Sequence, residues 1–195
     1  MHNQSDAELI EMLRKGDKEA LATLFSQYYD TLLHYGCRIT TRESLVEECI
    51  QELFVYIYES HARLGEIQHV KAYLYRSLQR RIIKTLDQER KRTSLREEDF
   101  HAIQYLFVEE DFLLEEQQLR QALTAALNDL PWQQREAIYL RYYNNLSTRE
   151  IAEIMDIANQ TVLNTLYLAL KKIRSSFSLP ELVILFLPLA QFTLP

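Results

Sequence analysis

The stretch from Leu130 to Arg174, LPWQQREAIYLRYYNNLSTREIAEIMDIANQTVLNTLYLALKKIR, leaves little freedom in how it can fold. Ser147-Thr148-Arg149-Glu150 has the pattern of a capping box, in which the serine hydroxyl accepts from the backbone of the first turn and the glutamate reaches back to the cap. A helix is therefore predicted to begin at Thr148, with Ile151, Ala152, Ile154 and Met155 facing inwards. The polar break Asp156 to Asn159 leaves three or four residues for a turn before a second helix. In that second helix Val162, Leu166, Ala169 and Ile173 recur at spacings of four, three and four, forming one apolar stripe. At about 100° per residue, Gln160, Asn164, Tyr167 and Lys171 point the opposite way, with Leu163 and Leu168 at their flanks.

Two short helices joined by a tight turn, the second bearing an outward row of amide, phenol and amine groups, form the arrangement that lays a helix in a DNA major groove. Asn and Gln side chains pair in a bidentate way with adenine, and Lys171, Lys172 and Arg174 suit phosphates. A plain helical hairpin with a solvated polar face gives the same pattern.

The rest of the chain also favours helices. Of its 195 residues only three are glycine and four proline, and apolar spacings near 3.6 dominate, so an all-α protein is expected. Three scattered glycines build no phosphate-cradling loop, and the five histidines lack metal-ligand spacing. Cys37 and Cys49 match neither a disulfide framework nor a zinc set and are expected as buried free thiols. No nucleophile and base pair stands out, so the chain is not expected to be an enzyme, nor to need a cofactor or metal. The polar, acidic start MHNQSDAELIEML has no signal-peptide pattern, and a cytoplasmic location is expected.

The net charge of minus 6 hides an uneven distribution. Residues 1–60 carry a net minus 6, residues 61–96 a net plus 7, residues 97–130 a net minus 8 and residues 131–195 a net plus 1. One basic block thus lies between two acidic ones.

The first acidic block opens with a helix capped at Ser5, with Leu9, Ile10 and Leu13 as its stripe. Gly16 suits the left-handed end of that helix and Asp17 the cap of the next. Ala20, Leu21, Leu24, Phe25, Tyr28, Tyr29, Leu32 and Leu33 then form a broad apolar face. A third helix over residues 44–59 places Leu45, Cys49, Leu53 and Tyr56 on one side and Glu47, Glu48, Gln51, Glu52 and Glu59 elsewhere, a face that could simply be solvated. After a break at residues 61–68 comes a basic helix, Val70 to Arg92, in which Tyr73, Leu74, Leu78, Ile82 and Ile83 supply the core and the rest face out. Interleaved bases and aromatics suit single-stranded or melting DNA, since cations follow phosphates and rings stack on unpaired bases. A further helix, Phe112 to Leu127, precedes the stretch described first.

The order Leu130-Pro131, Arg135-Glu136, Leu146-Ser147, Glu150-Ile151-Ala152, Ile157, Thr161-Val162 and Ala169-Leu170-Lys171-Lys172-Ile173-Arg174 resembles the minus-35 reading domain of bacterial sigma-70 factors of the extracytoplasmic-function (ECF) group. The Gly-Asp turn, the aromatic-rich second helix and the AYL opening of the basic helix are similar to the first half of the same family. The resemblance implies two small helical domains joined by an acidic linker: a region 2-like domain at 5–92, the linker at 93–118, a region 4-like helix-turn-helix domain at 119–178 and an apolar tail at 179–195. It implies core RNA polymerase, through the clamp helices of its largest subunit, and promoter DNA as partners, with an anti-sigma factor as a further one and no small-molecule substrate.

By the same resemblance Glu47, Glu48, Gln51, Glu52 and Phe54 would dock on polymerase. Lys71, Tyr75, Arg76, Arg80, Arg81 and Lys84 would bind minus-10 DNA, and Gln160, Thr161, Asn164, Tyr167, Lys171, Lys172 and Arg174 would bind the minus-35 duplex. Several positions depart from the family: Glu48 replaces Asp, Arg80 replaces Asn, Lys84 an acid, Ala158 the capping Ser, Asp156 a turn glycine and Leu168 a basic residue. Asn159 is expected to cap the last helix in place of Ala158. The linker reads equally as a segment for the polymerase channels and as an ordinary hinge, and the tail as a cover for the last domain or an adhesive segment for a partner. A stand-alone helix-turn-helix regulator and a helical interaction protein are the competing readings.

Overall fold

The computed structural model describes residues 4–65, 67–93 and 117–177, which form two compact units containing eight α-helices and no strand. The expected acidic linker and the apolar tail lie almost wholly outside the described residues. No helix among those residues is long and apolar enough to cross a membrane.

The first unit holds α1 (Asp6–Arg14), α2 (Lys18–Ile39), α3 (Glu43–Glu59), a 3₁₀ turn (His61–Arg63) and α4 (Val70–Thr93). A complete capping box starts α1: the Ser5 hydroxyl accepts from the Glu8 amide, and the Glu8 carboxylate accepts from the Ser5 amide at 2.8 Å. Gly16 takes φ +86° where the chain reverses, and Asp17 caps α2 by accepting from the Glu19 and Ala20 amides. Leu9 and Leu13 of α1, Leu32 and Tyr35 of α2, Ile50 and Leu53 of α3, and Tyr75, Leu78 and Ile82 of α4 are sealed from solvent and form one core. Because α4 packs on both α2 and α3, its buried stripe is wide and takes in Tyr75, whose ring sits 4.6 Å from that of Tyr35. Cys49 is buried and Cys37 half-buried, both as free thiols, and burial pushes both up in pKa.

Gly36 lets three helices meet. It is buried in α2, and a methyl group there would overlap Val46 of α3 and come within 3.2 Å of Ile82 of α4. Alanine would raise helix propensity by about 1 kcal/mol, but overpacking a filled core costs about 1–3 kcal/mol. Gly36→Ala is therefore expected to lower stability in chemical denaturation; a stabilised variant would mean that α2 and α3 can separate freely.

The second unit holds α5 (Gln117–Asn128), α6 (Trp132–Ile138), a π-helical turn (Tyr139–Tyr143) that continues α6, α7 (Thr148–Met155) and α8 (Asn159–Arg174). The helix expected from Phe112 is described from Gln117 onwards. In the π turn Tyr139 and Tyr143 stack with centroids 5.3 Å apart, and Asn145 reverses the chain at φ +51°. The Arg141 guanidinium then donates to the Leu146 carbonyl at 2.9 Å, fixing the approach to α7. Leu127, Leu130, Ala137, Leu140, Leu146 and Ile151 build the core that receives the buried stripe of α8.

Candidate nucleic-acid interface

The α7–α8 pair is built by local rules. Ser147 and Glu150 form the capping box in both directions, with the Ser147 amide donating to the Glu150 carboxylate at 2.8 Å and the Glu150 amide to the Ser147 hydroxyl at 3.3 Å. Asp156 ends α7 in the left-handed region at φ 57°, ψ 44°, a conformation Asp tolerates better than most residues. Only Asp156, Ile157 and Ala158 separate the two helices.

The capping expectation for α8 needs correction. Ala158 occupies the cap position and supplies no side-chain acceptor, while Asn159 is already the first helical residue. The extended backbone of Ala158 (φ −66°, ψ 145°) is what a cap requires, so the helix starts there whatever the side chain can accept.

On α8 the buried residues are Val162, Leu166, Ala169 and Ile173, the predicted stripe. Gln160, Thr161, Asn164, Tyr167, Lys171, Lys172 and Arg174 are all exposed. The Gln160 amide donates to Asn164 at 3.4 Å, joining two of the outward polar groups. Lys172 is engaged within its own unit: its ammonium lies 2.7 Å from the Asp129 carbonyl oxygen and 2.6 Å from the Asp129 carboxylate, which it holds below the usual carboxylate range. It pins the last turn of α8 to the end of α5.

On α4 the predicted cations separate by helix phase. Arg80 and Lys84 are exposed, and Tyr73 and Arg76 continue their row upstream, half-buried. Lys71 lies in register with the buried Tyr75, Leu78 and Ile82 and is half-buried. Arg81 turns to α3, donating to Glu52 at 3.1 Å, with its guanidinium 5.5 Å from the ring centre of Tyr56. Tyr75, expected to touch DNA, is fully buried against Tyr35 and has no face to offer an unpaired base. The aromatic residue on the outward row is Tyr73, three residues before Arg76 and seven before Arg80. That helical spacing was the signal in the sequence.

A parallel correction applies to α3. Phe54 is buried, its ring edge-on to Phe25 at 5.1 Å, and Tyr56, expected in the core, is about half exposed. Glu47 is half-buried and accepts from the Tyr29 hydroxyl at 3.2 Å. The exposed row is Glu48, Gln51, Glu52 and Val55, with Tyr56 beside it. Val55, not Phe54, continues the spacing from Glu48 and Gln51.

A basic helix thus lies in one helical unit and a tight-turned helix pair with an outward polar row in the other. The family models for Sigma-70 region 2 and Sigma-70 region 4 match residues 24–92 and 120–173. The chain belongs to the sigma-70 family, and its domains and likeness to a curated relative put it among the ECF sigma factors. Sigma factors are transcription initiation factors, not enzymes. That relative is the ECF RNA polymerase sigma factor SigM of Bacillus subtilis (strain 168), 20% identical over 155 residues that cover 80% of this chain and 93% of SigM. Among solved structures, CnrH in complex with the cytosolic domain of CnrY is 16% identical with a TM-score of 0.60, over 88% of this chain and 96% of that one. The sigma factor RpoE in complex with the anti-sigma factor NepR, from Bartonella quintana, is 17% identical with a TM-score of 0.57, over 80% and 94%. Both share the fold.

Proposed function

We propose that this chain binds core RNA polymerase and directs it to promoters, reading minus-35 duplex with α8 and melting minus-10 DNA with α4. The observation that carries the reading is the division of α8 into a buried apolar stripe and an exposed row of Gln160, Asn164, Tyr167 and Lys171. Residues 5–92 would serve polymerase docking and minus-10 melting, residues 119–178 minus-35 recognition, with 93–118 as the linker and 179–195 as the tail.

In this scheme Gln160 and Asn164 present amides to base edges, while Lys171, Arg174 and the hydroxyl of Thr161 meet the sugar-phosphate backbone. Lys172 contributes mainly by holding α8 on α5, because its ammonium is already occupied by Asp129. On α4, Arg76, Arg80 and Lys84 follow phosphates of the opened strand and Tyr73 offers a ring for stacking. Glu48, Gln51 and Glu52, exposed on α3, face the polymerase clamp helices. Two moderate DNA contacts on one polymerase scaffold gain affinity from each other through effective concentration. The RpoE complex with an anti-sigma factor supports a regulatory partner of that kind for this chain too.

The base-reading role is tested by Asn164→Ala. A bidentate amide contact discriminates by about 1–3 kcal/mol, so a loss of about 5- to 150-fold is expected at promoters carrying the cognate base pair and little change elsewhere. Equal loss at every promoter would take Asn164 off the base edges.

A further inference from the structure

The outward face of α8 carries more apolar surface than a solvated helix face needs. Leu163 is 44%, Tyr167 65% and Leu168 51% exposed, on a helix whose stripe of Val162, Leu166, Ala169 and Ile173 is already buried. At 100° per residue Leu163 and Leu168 fall on opposite sides of the row formed by Gln160, Asn164 and Lys171, each within a quarter-turn of its midline. The two leucines therefore bracket the polar groups.

The charge on the helix narrows what can cover them. No acidic residue occurs anywhere in α8, and its last turn bears Lys171 and Arg174 beside Lys172, whose charge Asp129 already meets. That combination suits a polyanion which offers amide-compatible edges in the middle and small apolar spots on either side. In the major groove of duplex DNA the apolar group on a base edge is the C5 methyl of thymine.

We infer that Leu163 and Leu168 are specificity-determining residues that each pack on a thymine methyl, requiring A·T pairs on both sides of the base pairs met by Gln160 and Asn164. The inference rests on the reading of α8 as the helix that enters duplex DNA. It assigns to these leucines a discriminating role that hydrogen-bond readers on the same helix cannot perform, since losing a methyl changes no donor or acceptor.

The test uses holoenzyme reconstituted with core polymerase and a pool of templates whose minus-35 segment is randomised upstream of a start site mapped by run-off transcription. Wild-type holoenzyme should enrich A·T pairs at two positions that bracket a central element. Replacing the thymine at either position by deoxyuridine should weaken binding about fourfold, the worth of burying one methyl group. Leu163→Ala should abolish the deoxyuridine effect at one position and Leu168→Ala at the other, both with unchanged melting temperatures, whereas Asn164→Ala should keep both effects. Indifference of the wild type to deoxyuridine, or persistence of both effects in both leucine variants, would overturn the inference, as would leucine variants that bind DNA normally but lose an anti-sigma factor. Enrichment of no sequence by any variant would defeat the parent reading of α8, and this inference with it.

Discussion

Tyr75→Ala is expected to unfold or severely loosen the first helical unit, at a cost of about 3–5 kcal/mol, the range for removing a large buried aromatic side chain. Tyr75 of α4 is sealed from solvent, with its ring 4.6 Å from the equally buried Tyr35 of α2. Truncation leaves a ring-sized void between α4 and α2. For a domain with about 5–15 kcal/mol of total stability, such a loss lowers the melting temperature sharply and impairs polymerase docking and DNA melting together. Chemical denaturation followed by circular dichroism measures it. A variant that folds with wild-type stability and fails only at strand opening would return Tyr75 to the DNA-binding set.

The second large effect is expected on α3. Reversing both Glu48 and Glu52 to lysine puts two positive charges on the row that also bears Gln51 and Val55, all of them exposed. Disrupting charge pairs at a protein interface typically costs about 2–5 kcal/mol, so holoenzyme affinity should fall thirty-fold or more. Stability should change little: each substitution is on the surface, and the lost Glu52–Arg81 contact is a partly exposed ion pair of the class worth about 0–1 kcal/mol. Titration of core polymerase with labelled protein separates the two effects. Normal assembly by the folded double variant would move the docking surface off α3.

Features governed by neighbouring residues were the most legible in the sequence. The cap at Ser5, the capping box at Ser147, the glycine reversal at Gly16 and the left-handed Asp156 follow from backbone demands that a few adjacent side chains meet. The α8 stripe was legible because that helix is buried along one narrow side. Where a helix is packed by two neighbours, the phase of the sequence pattern alone did not suffice. Around α4 the buried arc is wide enough to enclose Tyr75, which exchanged places with Tyr73, and on α3 Phe54, expected to dock, is buried while Tyr56, expected in the core, is half exposed. Long-range pairs stayed invisible: Arg81 with Glu52 and Lys172 with Asp129 bring together residues 29 and 43 positions apart. These pairs redirect two cations that, taken singly, looked available for phosphates. The need for glycine at position 36 likewise depends on where Val46 and Ile82 arrive from other helices.

The most direct test of the account is run-off transcription from the DNA upstream of the chain's own coding sequence, with purified core polymerase and the full chain, beside duplex binding without polymerase. The account predicts a transcript from a single defined start that depends on both core and this chain, with weak duplex binding by the chain alone. Tight, sequence-specific duplex binding without core, and no transcript with it, would contradict the account and identify a regulator that acts on its own.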